Sequence, residues 1–229
     1  MLSVDEKGLH RSWVDDACAR FDARNESLVM QTRALLGRLI QEPTLHHRLT
    51  NTLSLLEHMG SYKIMTTQHS PRIEQATLRH IAEEAHHALF MRRQAEKMAG
   101  RSLDYSAANL LAAATARMYF QRLEARVLRR LREQRSAAAT YLYVSMIIEF
   151  RAMWFYGLYQ QSLRAAGHAM SLKRILGEEE HHLHEMAQRL ESLGELSDTR
   201  VDEFVDVEET LYERFLTTIR RELTARAAR

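Results

Sequence analysis

Two segments of the chain repeat one chemical pattern. Ile81-Ala-Glu-Glu-Ala-His-His-Ala-Leu-Phe-Met91 aligns with Leu176-Gly-Glu-Glu-Glu-His-His-Leu-His-Glu-Met186 at a constant offset of 95 residues. Each copy holds Glu-x-x-His twice, in overlapping registers: Glu83/His86 and Glu84/His87, then Glu178/His181 and Glu179/His182. On a helix the i, i+3 spacing sets a carboxylate and an imidazole on one face. A carboxylate beside an imidazole, with no thiolate, suits a divalent ion such as iron or manganese. The neighbours choose between the registers. Leu172, Ile175, Glu179, His182, Met186, Leu190 and Leu193 form one apolar stripe, while Arg174, Glu178, His181, Glu185 and Gln188 form a polar one. In the first copy, Ile73, His80, Glu84, His87, Met91 and Met98 face inward, and Arg79, Glu83, His86 and Lys97 face solvent. Glu84/His87 and Glu179/His182 are therefore the expected buried pairs.

Two further carboxylates stand alone. Glu57 is the only acidic residue between Glu42 and Glu74, and Glu149 the only one between Glu133 and Glu178. Each lies in an apolar context, Leu55-Leu56 and Met146-Ile147-Ile148. A buried carboxylate without a partner is costly and tends to take a proton, so these two call for a cation or a hydrogen-bond network.

The elements that must position these groups are helices. The chain has 229 residues but only 2 Pro and 8 Gly, too few for a turn-rich β fold. Between Pro43 and Pro71 and beyond, apolar residues recur at helical spacing. Helices are expected at about 9–41, 43–68, 71–99, 104–133, 136–166, 169–194 and 198–226, with Gly100, Gly167 and Gly194 at helix ends. The repeat suggests a duplicated helical hairpin, and four such helices make a four-helix bundle. The expected organisation is one all-helical domain over 1–229, with a metal-binding bundle at roughly 43–99 and 136–194. Glu57 and Glu84 are nearly equidistant from Pro71 and so fall at one height. Glu149 and Glu179 are centred on residue 164 rather than on Gly167, a mismatch of about 9 Å along a helix that a longer loop through Met170 or a tilt must absorb.

As a set, Glu57, Glu84-x-x-His87, Glu149 and Glu179-x-x-His182 resemble the ligands of the ferritin-like di-iron carboxylate proteins. The likeness covers roughly residues 43–194. It implies two iron ions bridged by carboxylates, with manganese an alternative at one position, O2 as co-substrate, and an electron donor such as a reductase or ferredoxin. The N-terminal, connecting (104–133) and C-terminal helices exceed a bare bundle and look more like the oxygenase branch, in which a small organic substrate is oxidised (a monooxygenase or N-oxygenase type of oxidoreductase). His80 lies one turn before Glu84. The arylamine N-oxygenases carry an additional histidine ligand at that spacing, but in the second helix pair, where this chain has Ile175. Glu83-Glu-Ala-His-His87 also resembles the tRNA-modifying hydroxylases. His80 is thus either a further ligand or a partner of a ligand carboxylate, and the same two roles are open to His184. Tyr62, Tyr143 and Tyr156 are within a few turns of the ligands, to pack the core, line a pocket or relay electrons. Met59, Met65, Met91, Met146 and Met153 read as core filler.

Charge excludes little. Lys plus Arg is 32 and Asp plus Glu is 30, which does not identify a nucleic-acid binder. The block Arg126, Arg129, Arg130, Arg132 and Arg135 reads as a solvated face. Cys18 is the only cysteine, so no disulfide forms within one chain, as in a reducing compartment. Met1–Gly8 has no apolar leader segment, and the longest apolar run, Tyr141–Ile148, is far short of a bilayer span. A soluble cytoplasmic protein is expected. The amphipathic 198–226 helix either covers the bundle or joins two copies as a homodimer. Two other functions fit parts of the pattern: an iron-handling ferroxidase, and a non-enzymatic helical interaction protein.

Overall fold

The computed structural model describes residues 4–68, 71–131 and 137–227. Among them there is no strand. The order is α1 (Val4–Arg24), α2 (Glu26–Gln41), α3 (Pro43–Thr67), α4 (Gln75–Ala99), a 3-10 turn (Ala107–Asn109), α5 (Ala113–Arg130), α6 (Ala137–Ala165), α7 (Lys173–Ser192) and α8 (Asp198–Ala227). The all-α expectation holds. Buried apolar side chains from Val14 on α1 to Leu223 on α8 form one main core.

α3 and α4 pack along each other over most of their length, as do α6 and α7. The first pair is antiparallel, because Ser54 Oγ donates to Ala88 O and Ser61 Oγ to Ile81 O. Seven residues forward on α3 are seven residues back on α4, which brings Glu57 level with Glu84. The second pair keeps its register by a different device. The connection 166–172 doubles back along α6 until Leu172 N donates to Gln160 Oε1 at 2.5 Å. α7 thus begins beside residue 160, and Glu149 comes level with the Glu179–His182 segment. The 9 Å mismatch foreseen from the sequence is absorbed by this returning loop.

Three expected helices are shorter or broken. The span 9–41 divides at Asn25, which is fully buried. Its Nδ2 donates to Phe21 O, and its Oδ1 accepts from Arg151 Nη2 at 2.7 Å. A side chain that competes for the backbone in this way ends a helical run. The span 71–99 starts only at Gln75, although Pro43 does open α3. Residues 71–76 have no buried face, and Ile73, expected to point inward, is exposed. The span 104–133 begins with irregular backbone whose polar groups are met by α3. Asn51 Nδ2 donates to Asp104 O and Asn109 O, Thr52 Oγ1 accepts from Leu111 N, and Arg48 donates to Leu110 O. With those bonds supplied, the segment needs no helix of its own.

Arg129 and Arg130 are exposed as expected, Arg130 pairing with Glu203, and Arg126 is half-buried. Arg132 and Arg135 lie outside the described residues. No helix among those described is long and apolar enough to cross a membrane.

Candidate metal centre

Four helices deliver the polar groups of the interior. On α4, His80, Glu84, His87 and Met91 follow each other at spacings of four, three and four, and all four are buried. On α7, Ile175, Glu179, His182 and Met186 repeat that pattern, with isoleucine where α4 has His80. α3 adds Glu57 and α6 adds Glu149. The six expected ligands are between 0% and 7% exposed, and His80 is 5% exposed.

These side chains converge on two positions. In one, His80, Glu84, Glu149 and His182 each offer an atom within 4.8 Å of the others; in the second, Glu57, Glu84, His87 and Glu179 do the same. Glu84 belongs to both. Its Oε1 is 3.5 Å from His80 Nε2 and 3.8 Å from the Nδ1 atoms of both His87 and His182. His87 Nδ1 is 3.2 Å from Glu179 Oε1, and His182 Nδ1 is 2.9 Å from Glu179 Oε2. His80 Nε2 is 3.1 Å from Glu149 Oε1. One position thus has two imidazoles and two carboxylates, the other one imidazole and three carboxylates.

The outer edges of the two motif histidines are braced. His87 Nε2 donates to Glu178 Oε2 and His182 Nε2 to Glu83 Oε2, each at 2.8 Å. The bracing is reciprocal: the first glutamate of each motif holds the histidine of the other. A carboxylate accepts only, so each Nε2 carries a proton and Nδ1 can turn a lone pair inward, as a metal-ligating histidine does. The inward atoms Glu84 Oε1, His87 Nδ1 and Glu179 Oε1 are buried without a hydrogen-bond partner. Such atoms are rare in a folded interior, and a cation satisfies all three together. The donor set fits two divalent ions.

The electrostatics agree. Burial, with the neighbouring carboxylates adding to it, pushes Glu57, Glu84, Glu149 and Glu179 above the usual carboxylate range. For His87 burial opposes the cation, but contact with Glu179 and the charges of Glu57 and Glu84 overcome it and raise the imidazole to about 11. His80 is raised in the same way by Glu149 and Glu84 against the cost of burial. Without metal, these acids and imidazoles share protons to limit their own repulsion.

No protein-family model, curated protein or solved structure matches this chain. The character of the centre rests on its own residues. All six ligands expected from the sequence come together, and His80 joins them at the nitrogen-rich position. His184 does not: it is half-buried and outside both groups. Of the three tyrosines, Tyr62 is exposed and Tyr143 donates to Glu195 O, away from the centre. Tyr156 alone reaches it, its hydroxyl donating to Glu57 Oε1. Among the five methionines read as filler, Met91 and Met146 are fully buried whereas Met65 is exposed.

Sequence reasoning passed over Glu83 and Glu178, whose register looked solvent-facing; they are half-buried braces. It also passed over Gly60. A Cβ there would stand 3.0 Å from Glu84 Oε2, so only glycine leaves that carboxylate full room. The signal for Gly60 was present, since it lies three residues beyond Glu57 on the same face.

Proposed function

We propose that this chain is a dinuclear metal protein of the ferritin-like di-iron carboxylate type, and that it uses O2 to oxidise a small organic substrate. The observation that carries the reading is the pair of four-residue groups sharing Glu84, with inward atoms left without partners. Two ferrous ions held there supply the electrons that reduce O2 and generate an oxidant next to the substrate. The chain's own part is positional. Glu57, Glu84, Glu149 and Glu179 provide negative charge and bridging oxygens; His87 and His182 fix one end each, and His80 adds a nitrogen to one position. Glu83 and Glu178 hold the two motif histidines in the tautomer that ligates. Tyr156 keeps Glu57 turned toward the centre. The packed apolar shell of Met91, Ile147, Met146 and Met186, each 2% exposed or less, excludes bulk water.

An apolar cavity beside Glu57, Glu84 and Glu149 supports oxidation of an organic molecule over iron storage, which calls for a polar path for ions. The test is metal analysis of protein loaded anaerobically with ferrous iron, followed by its optical spectrum on exposure to O2. Two irons per chain are expected in the native protein, with large losses in Glu84→Ala and Glu179→Ala. Unchanged metal content in both variants would overturn the assignment.

A further inference from the structure

The cavity next to the centre has a volume of about 80 Å³ and lies among α3, α5, α6 and α8. Its contacts with the centre are one-sided. Glu57, Glu84 and Glu149 line it, whereas His80, His87, His182 and Glu179 do not. It therefore faces the carboxylate side, away from the imidazoles braced by Glu83 and Glu178. Leu53, Leu56, Phe120, Ile148, Phe155 and Phe215 supply the apolar wall.

The polar side chains on that wall are already engaged. Tyr156 donates to Glu57, Tyr119 donates to Glu208, and Tyr212 shares a hydrogen bond with Thr32. Arg151 binds Glu208 through Nε and Nη2 and Asn25 through Nη2, with its guanidinium 4.0 Å from the Tyr212 ring centre; Nη1 alone is left. An occupant bearing a hydroxyl, amine or carboxylate would find at most that one donor. Size restricts it further. An apolar cavity of about 150 Å³ takes a benzene ring, and this one is little more than half that volume. A second cavity, of about 40 Å³, shares Glu84, Phe120, Ile148 and Glu149 with the first and extends to Lys63 and Glu124. Phe120 and Ile148 border both. The shape suits something thin and extended.

We propose that this cavity binds the aliphatic part of the substrate, a slender saturated chain rather than an aromatic ring, and presents its C–H bonds to the carboxylate face of the centre. The proposal rests on the metal-dependent oxidase reading for its purpose, but the binding itself can be measured without metal.

The experiment uses the full chain, metal-free and loaded with cobalt(II), with n-pentane, toluene and xenon as probes followed by NMR. In metal-free protein, xenon and n-pentane are expected to bind saturably, n-pentane at least about tenfold more tightly than toluene. Ala152→Leu, which fills the cavity, should weaken n-pentane by a similar factor. Phe120→Ala, which removes the wall between the two cavities, should raise toluene affinity about tenfold. In cobalt-loaded protein the bound n-pentane protons should be broadened by the nearby ion. Circular dichroism checks that each variant is folded; if Ala152→Leu is not, the Phe120→Ala comparison decides. Toluene binding as tightly as n-pentane, no saturable binding, or unbroadened n-pentane in protein that holds two cobalt ions would each overturn the proposal. Failure to retain cobalt would instead strike the metal reading and leave the metal-free binding comparison to judge the cavity.

Discussion

Glu178 and Glu83 hold no place in either ligand group, yet each fixes a histidine that does. Removing such a brace typically weakens a metal site by about 10–100-fold. Glu178→Ala is accordingly expected to lower affinity at the position containing His87 by that order, measured by competition with a chromophoric chelator, and to leave the fold intact because Glu178 is a fifth exposed. The same centre sets a pH dependence. In the metal-free protein the four carboxylates are held above their usual range and His87 is raised to about 11. Protons must leave these groups before metal enters, so affinity rises with pH, by up to about tenfold per unit for each proton displaced. Isothermal titration in buffers of different ionisation enthalpy should show proton release on binding. Affinity that is flat between pH 6 and 8 would contradict this. The six ligands were legible in the sequence because each is a charge in an apolar stripe. The braces were not, because a single helix register assigns Glu83 and Glu178 to the polar side; only the contact of α4 with α7 turns them toward a histidine.

At the scale of helices, Gly60 separates two properties that usually move together. Alanine favours a helix over glycine by about 1 kcal/mol. Gly60→Ala should therefore leave the metal-free protein at least as stable in urea unfolding. The new Cβ would crowd Glu84 Oε2, and metal affinity should fall at least severalfold; a variant that binds metal as tightly as the native chain would show that the carboxylate has room to spare. Helix identity was readable from periodicity, and so were Pro43 at the start of α3 and Gly100 and Gly167 at chain reversals with positive φ. The break at Asn25 was not, since it depends on Arg151, 126 residues away in sequence. Nor was the irregular start of 104–133, whose backbone is satisfied by Arg48, Asn51 and Thr52 from α3. The doubling back of 166–172 toward Gln160 was visible only as a mismatch in register.

Across the whole molecule, Arg151 joins four helical regions. It pairs with Glu208 of α8 at 2.7 Å, reaches Asn25 between α1 and α2, and shares Glu208 with Tyr119 of α5. Arg151 is 6% exposed and Glu208 fully buried. Removing one member of such a pair strands the other charge and costs about 3–5 kcal/mol, whereas replacing both with apolar residues costs far less. Glu208→Ala should lower the unfolding midpoint strongly, and Arg151→Met combined with Glu208→Leu should recover most of the loss; a double variant no better than the single one would refute the pairing. With that ion pair neutral in itself, the unmatched charge of the described interior is concentrated in Glu57, Glu84, Glu149 and Glu179. Four carboxylates carry four negative charges, and two divalent cations cancel them with the histidines neutral. One cation leaves a net charge of minus two in the middle of the protein. The half-filled state is thus electrically the least favourable of the three, and Glu84, common to both positions, ties their occupancies together. Uptake should be positively cooperative, a sigmoidal titration passing from proton-filled to doubly loaded protein with little of the singly loaded form between.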